Sequence, residues 1–103
     1  MATADAQFDP KRPGSTEIFA WDFSRALASN ETIVSAQVTV NFGSGRPDSN
    51  MASMVSGQAS IVGSKVTQLI TGGMQGNTYL LRFTITTSLG QVIQAVGTLL
   101  VRD

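Results

Sequence analysis

The chain has 103 residues, seven basic and seven acidic side chains, a formal net charge of zero, and neither Cys nor His. Those totals fit one domain, able to bury roughly 60–70% of the surface its unfolded form exposes. They exclude a disulfide framework, a thiolate nucleophile, a Cys-based zinc site and the usual imidazole base. The charges are scattered, so there is no basic stripe for nucleic acid and no polybasic segment for an anionic membrane.

Residues 1–15 (MATADAQFDPKRPGS) are small and polar, with Pro10, Pro13 and Gly14. They lack the apolar stretch of a secretory signal and cannot form a core, so they are expected as a flexible N-terminal arm preceding a domain at 16–103. No apolar run reaches the ~20 residues of a membrane span, and the expectation is a soluble intracellular product, or one released with a particle at lysis. Phe8 is an aromatic in this polar setting, an anchor either for a partner or for the arm's own domain. It stands close to Lys11 and Arg12.

TEIFAWDF alternates Ile18, Ala20 and Asp22 with Phe19, Trp21 and Phe23, which predicts a strand with an aromatic face. SRALASN follows, with Ser24 as a helix N-cap and Ala26, Leu27 and Ala28 as helix formers. It is too short for a stable helix. The expectation is one helical turn that carries the chain between two sheets, with Leu27 plugging the end of the core. TIVSAQVTVNF predicts a half-buried antiparallel strand with Val34, Ala36, Val38, Val40 and Phe42 on one face.

GSGRPDSN reads as a loop, flanked by Met51 and Met54, which either adapt to a contact surface or rest on the domain's own edge. The weak alternation of Val55, Gly57, Ala59 and Ile61 suggests an edge or a bulge. KVTQLI is a short strand and TGGMQGNT a turn. YLLRFTITTS is a strong strand with Tyr79, Leu81, Phe83 and Ile85 inward, and SLGQ makes a hairpin. VIQAVGTLLVRD is apolar on both parities, Ile93/Ala95/Leu99/Val101 and Val92/Val96/Leu100, so it is covered on both faces or meets another subunit. Six to seven antiparallel strands, frequent turn signals and one short helical turn predict an all-β fold, a small immunoglobulin-like β-sandwich.

Little in the chain points to chemistry. GGMQG lacks the following helix that a phosphate cradle needs. A serine nucleophile could be activated only by Lys11 or Lys65. The acids Glu17, Asp22, Glu31 and Asp48 lack metal-binding spacing, although folding could pair Asp22 with Glu31. NET at 30–32 has the N-glycosylation pattern but reads as the loop before a strand. Trp21, the lone Trp, is a core filler or a platform for stacking a sugar.

Taken together, FAWDFSRAL, NETIVSAQVTV, ITGGMQGNTYLLRFTITTSLGQ and the terminal VRD resemble a family of tailed-bacteriophage structural proteins. These are the fiber-tail adaptor or neck-type proteins with an immunoglobulin-like fold. The matching positions are Trp21, Asp22, Asn30 to Ile33, Gly72, Gly73, Gly76, Tyr79, and Thr86 to Gly90. The N-terminal arm and Gly97, where a larger strand residue is expected, depart from the pattern.

The resemblance implies a non-enzymatic virion protein without cofactors that joins tail, neck and fiber components. Its partners would be tail tube, neck or fiber subunits, with no nucleic acid and no membrane. Several copies would stand in a ring around the particle axis. Phe8, Lys11, Arg12, Met51 and Met54 are the candidate partner contacts, and deleting residues 1–14 is expected to spare the fold while impairing incorporation into particles. The alternative is a capsid decoration or carbohydrate-binding domain on the particle surface, for which an exposed Trp21 would be the signature.

Overall fold

Strand-forming residues alternate along most of the chain, and the computed structural model, which describes residues 3–102, turns that alternation into two packed sheets. Seven strands occur among the described residues: β1 (Thr3–Gln7), β2 (Thr16–Asp22), β3 (Ile33–Ser44), β4 (Val55–Val62), β5 (Lys65–Thr71), β6 (Thr78–Thr87) and β7 (Val92–Leu100). One sheet has the order β1-β7-β6-β3 and the other β2-β5-β4. Neighbours pair antiparallel, except β1, which runs parallel to β7. This is the all-β sandwich expected from the alternation and turn spacing.

The core lies between the sheets. Tyr79, Leu81, Phe83 and Ile85 of β6 are fully buried, as are Val66 and Ile70 of β5 and Leu99 of β7. Phe19 and Phe23 enter from the β2 segment, so its aromatic face points inward while Ile18 is exposed. The two parities of β7 also separate. Ile93, Ala95, Leu99 and Val101 are buried, whereas Val96 and Leu100 are half-buried and Val92 is exposed on the outer face.

Local geometry departs from the sequence pattern in four places. The register shifts between Ile33 and Ser35, so Ile33 takes the inward position and Val34 is turned out to solvent. A second shift near Phe42 leaves that ring partly exposed. The helical turn expected at Ser24–Ala28 is a non-helical reversal, closed by Ala26 N–H donating to Phe23 O at 2.8 Å. Asp22 Oδ1 takes the Ser24 N–H at 2.8 Å, so the backbone donor at Ser24 is satisfied by a tight Asx turn and not by a helix. The one helical turn among the described residues is a 3-10 turn at Met51–Met54. Residues 23–32 still connect the two sheets, and Leu27 is half-buried against the core as expected.

The fourth departure is the N-terminal segment. Residues 3–7, expected in a flexible arm, pair with β7 from Thr3↔Gln94 to Gln7↔Thr98. Phe8 N–H donates to Thr98 O and Lys11 N–H to Leu100 O, extending the attachment to residue 11. A backbone ladder does not require apolar side chains, which is why polar composition concealed this strand.

Candidate docking surface at the loop end of the sandwich

The strand directions gather the segments 8–15, 43–54, 72–77 and 101–102 at one end of the molecule. Loops there would be expected to move. Instead, the side chains of Asn77, just before β6, and Tyr79, within it, pin two of these segments. Asn77 acts as a two-point clasp on the backbone of the long loop: its Oδ1 accepts from Arg46 N–H at 2.8 Å and its Nδ2 donates to Arg46 O at 2.7 Å. This close approach depends on Gly45, which has φ +116° and whose added Cβ would collide with Asn77.

Tyr79, wholly buried, supplies the second pin. Its hydroxyl donates to Asp48 Oδ2 at 2.8 Å and accepts from Met74 N–H at 2.9 Å and Asn77 Nδ2 at 3.2 Å. Burial, first among the causes, pushes the phenol's pKa up, and the bond to the Asp48 carboxylate adds to this. One phenol thus fixes the 43–50 loop and the 72–77 turn to each other. Asp48 also accepts from Asn50 N–H through Oδ1 at 2.9 Å, leading into the Met51–Met54 turn.

The expected contact residues divide sharply. Lys11 is buried, 1% exposed, and its Nζ donates to Gly72 O at 2.7 Å and Arg12 O at 2.6 Å. Burial lowers its pKa, opposed by the charge of Glu17. Met54 is also buried, and its Cε sits beside Val101 over Gly73. Met51 is half-buried against the core. Phe8 packs edge-on to Phe19 at 5.3 Å and to Trp21 at 6.1 Å. These four side chains hold the domain together, and of the five only Arg12 is exposed. Arg46 and Arg102 are exposed at the same end. The sequence reading missed them because the strand directions that bring residues 46 and 102 to one end are not visible in either segment alone.

The remaining candidates stand apart. Asp22 accepts from Ser24 N–H and Ser64 Oγ, while Glu31 accepts from Ala28 N–H and the buried Thr87 hydroxyl. Each carboxylate closes its own turn at the opposite end of the sandwich, and hydrogen bonds, before any other cause, lower both pKa values. Lys65 is exposed, and the Lys11 amine is engaged by two backbone carbonyls. Trp21 lies 6.1 Å from Phe83 as well as from Phe8, and its ring contributes to the core. A shallow cleft of about 440 Å³ separates the outer edges of β3 and β4, lined by Ala36, Val38, Val55, Ala59 and Gln68 among others. Gln68 is buried there and donates to the carbonyls of Ser56, Gly57 and Leu69, filling the register shift between Ser56 and Ser60.

The arrangement is thus an interlocked end surface with exposed arginines, and no group of three or more potential metal-ligating side chains occurs among the described residues. No curated protein matches the chain. The family model for the podophage GP4 fiber-tail adaptor protein gp77 matches residues 11–100. These residues include both clasping side chains, the pinned loops and all strands except β1, and the chain belongs to that fiber-tail adaptor family.

Proposed function

We propose that the chain is a non-enzymatic connector in the virion that joins tail or neck components to fibers through the pinned loop end. The family match carries this reading, because it covers residues 11–100, including the 43–54 and 72–77 segments of that end. The clasp adds a physical argument. A connector transmits load between larger pieces, and loops fixed before docking lose little conformational entropy on binding. Arg12, Arg46 and Arg102 are the exposed side chains that would meet the neighbouring virion protein, arginine being enriched among residues that dominate interface energy. Several copies around the particle axis would strengthen individually small contacts by raising effective concentration.

Particles assembled without this protein, examined by electron microscopy and protein composition, test the proposal. The expected result is a tail lacking its fibers, restored when the protein is supplied. Fully fibered particles without it would refute the role.

A further inference from the structure

Gly97 and Phe8, two departures from the expected pattern, explain each other. Gly97 lies in the middle of β7, and a Cβ built there would collide with the Cε2 edge of the Phe8 ring. The missing side chain leaves a slot, and Phe8 fills it while touching Phe19, Trp21 and Phe83. On the amino-terminal side of the slot, residues 3–7 complete the ladder along β7. On the other side, Lys11 N–H donates to Leu100 O, and Arg102 N–H donates to Lys11 O. The segment from 3 to 11 therefore makes its backbone pairings with β7 and its continuation.

Its covalent link to the rest of the domain is slight. The turn Arg12-Pro13-Gly14-Ser15 is closed by Ser15 N–H and Ser15 Oγ, both donating to Arg12 O, at 3.2 and 3.0 Å. Proline at the second position restricts the backbone of the turn. Extended, these few residues reach roughly 13 Å. Opening the turn loses only those local bonds, while the ladder, the Phe8 slot and the Lys11 contacts can all form again on another copy. The choice between self and neighbour is then set by local concentration, the condition under which element exchange occurs at low cost. The family match begins at residue 11, so the acceptor edge and Gly97 lie inside it while β1 and Phe8 lie outside.

We propose that the β7 edge with its Gly97 slot is a strand-acceptor site, and that between adjacent copies of this protein it receives residues 3–11 of the neighbour. The arm is an exchangeable strand with Phe8 as its key, and the surface it fits is present on every copy. This concerns the chain and its copies alone and stands apart from the adaptor reading.

The chain contains no cysteine, which makes a direct test clean. Gln7 and Thr98 are register partners, and paired strands stand at a separation that a disulfide spans. Full-length Gln7→Cys and Thr98→Cys chains are unfolded together, refolded at high concentration and oxidised, with folding checked by circular dichroism. Arm exchange predicts a mixed disulfide between positions 7 and 98, about tenfold above that of Gln7→Cys mixed with Ser88→Cys, as expected for effective-concentration control. Adding Phe8→Ala to the Gln7→Cys chain should abolish the excess. Asp5→Cys with Val96→Cys, partners in the same ladder, serves if the first pair fails to fold. A yield no higher than the control overturns the proposal.

Discussion

The fit of Phe8 over Gly97 makes an energetic claim about two residues. Phe8 is half-buried, so its truncation to Ala should cost about 1–3 kcal/mol, below the range for a fully buried ring. Gly97→Ala should cost a similar ~1–3 kcal/mol by overpacking, because the new methyl meets the ring. Once Phe8 is Ala, the same change at Gly97 should become neutral or stabilising by up to ~1 kcal/mol, since Ala loses less chain entropy than Gly. Urea unfolding of the single and double variants measures the coupling. Additive effects would mean that the ring does not occupy the slot. Tyr79→Phe makes a different point. It keeps the ring and removes the hydroxyl that joins Asp48 to Met74 N–H. The expected loss is about 1–3 kcal/mol, the cost of leaving buried polar groups unpaired. Faster proteolysis within 43–50 should accompany it, and unchanged cleavage would separate the phenol from loop order.

Between elements, the crossover from β2 to β3 is held by carboxylates, which ties its stability to pH. Glu31 joins the crossover to the β6–β7 hairpin through Ala28 N–H and the Thr87 hydroxyl, and its folded pKa lies below the ordinary Glu value because of those bonds. A depressed carboxylate pKa means that the unfolded chain takes up the proton first. The contribution is therefore complete above the ordinary Glu range and is lost as pH falls through the folded pKa. Asp22 has the same sign through Ser24 and Ser64. Glu31→Gln should flatten the acid side of the stability profile, measured as melting temperature from neutral pH down to below the carboxylate range. A variant profile parallel to that of the parent would assign the acid sensitivity elsewhere.

The same crossover shows what could be read from the chain alone. Strand alternation was visible because the β6 side chains follow the pleat without interruption, and the sheet-to-sheet passage was visible because Leu27 is the one large apolar residue between Phe23 and Ile33. The fate of Ser24 was not, since a cap and an Asx turn use the same residue type and Asp22 decides between them. At β3, one register shift reversed Val34 and Ile33, a change that alternation cannot reveal. Contacts at the loop end were least legible. Lys11 looked like a surface charge because the carbonyl that receives it, Gly72 O, lies 61 residues away. Asn77 looked like a turn residue because the backbone it clasps is 31 residues distant. Glycines and tyrosine in the GGMQGNTY segment marked the place without disclosing what they hold.

For the whole molecule, the long dimension matters most. The principal extents are 42 × 23 × 22 Å, and the pinned loops occupy one end of an elongated body. Such a shape suits a peg whose end meets a larger partner. Arg12 and Arg46 are exposed there and belong to different loops that the folded core brings to the same end. Reversing both to Glu should change folding stability by no more than about 0.5 kcal/mol per site, since neither side chain is in the core. The change should nevertheless weaken docking, because a misplaced charge at an interface costs more than an equivalent charge in water. Arg25, exposed in the crossover at the opposite end, provides the comparison. Particles assembled in the presence of Arg12→Glu/Arg46→Glu protein should contain much less of it than particles assembled with Arg25→Glu protein, measured by quantitative mass spectrometry of purified virions. Equal incorporation of the two would show that the loop end does not carry the docking contact, and attention would pass to the open side between β3 and β4.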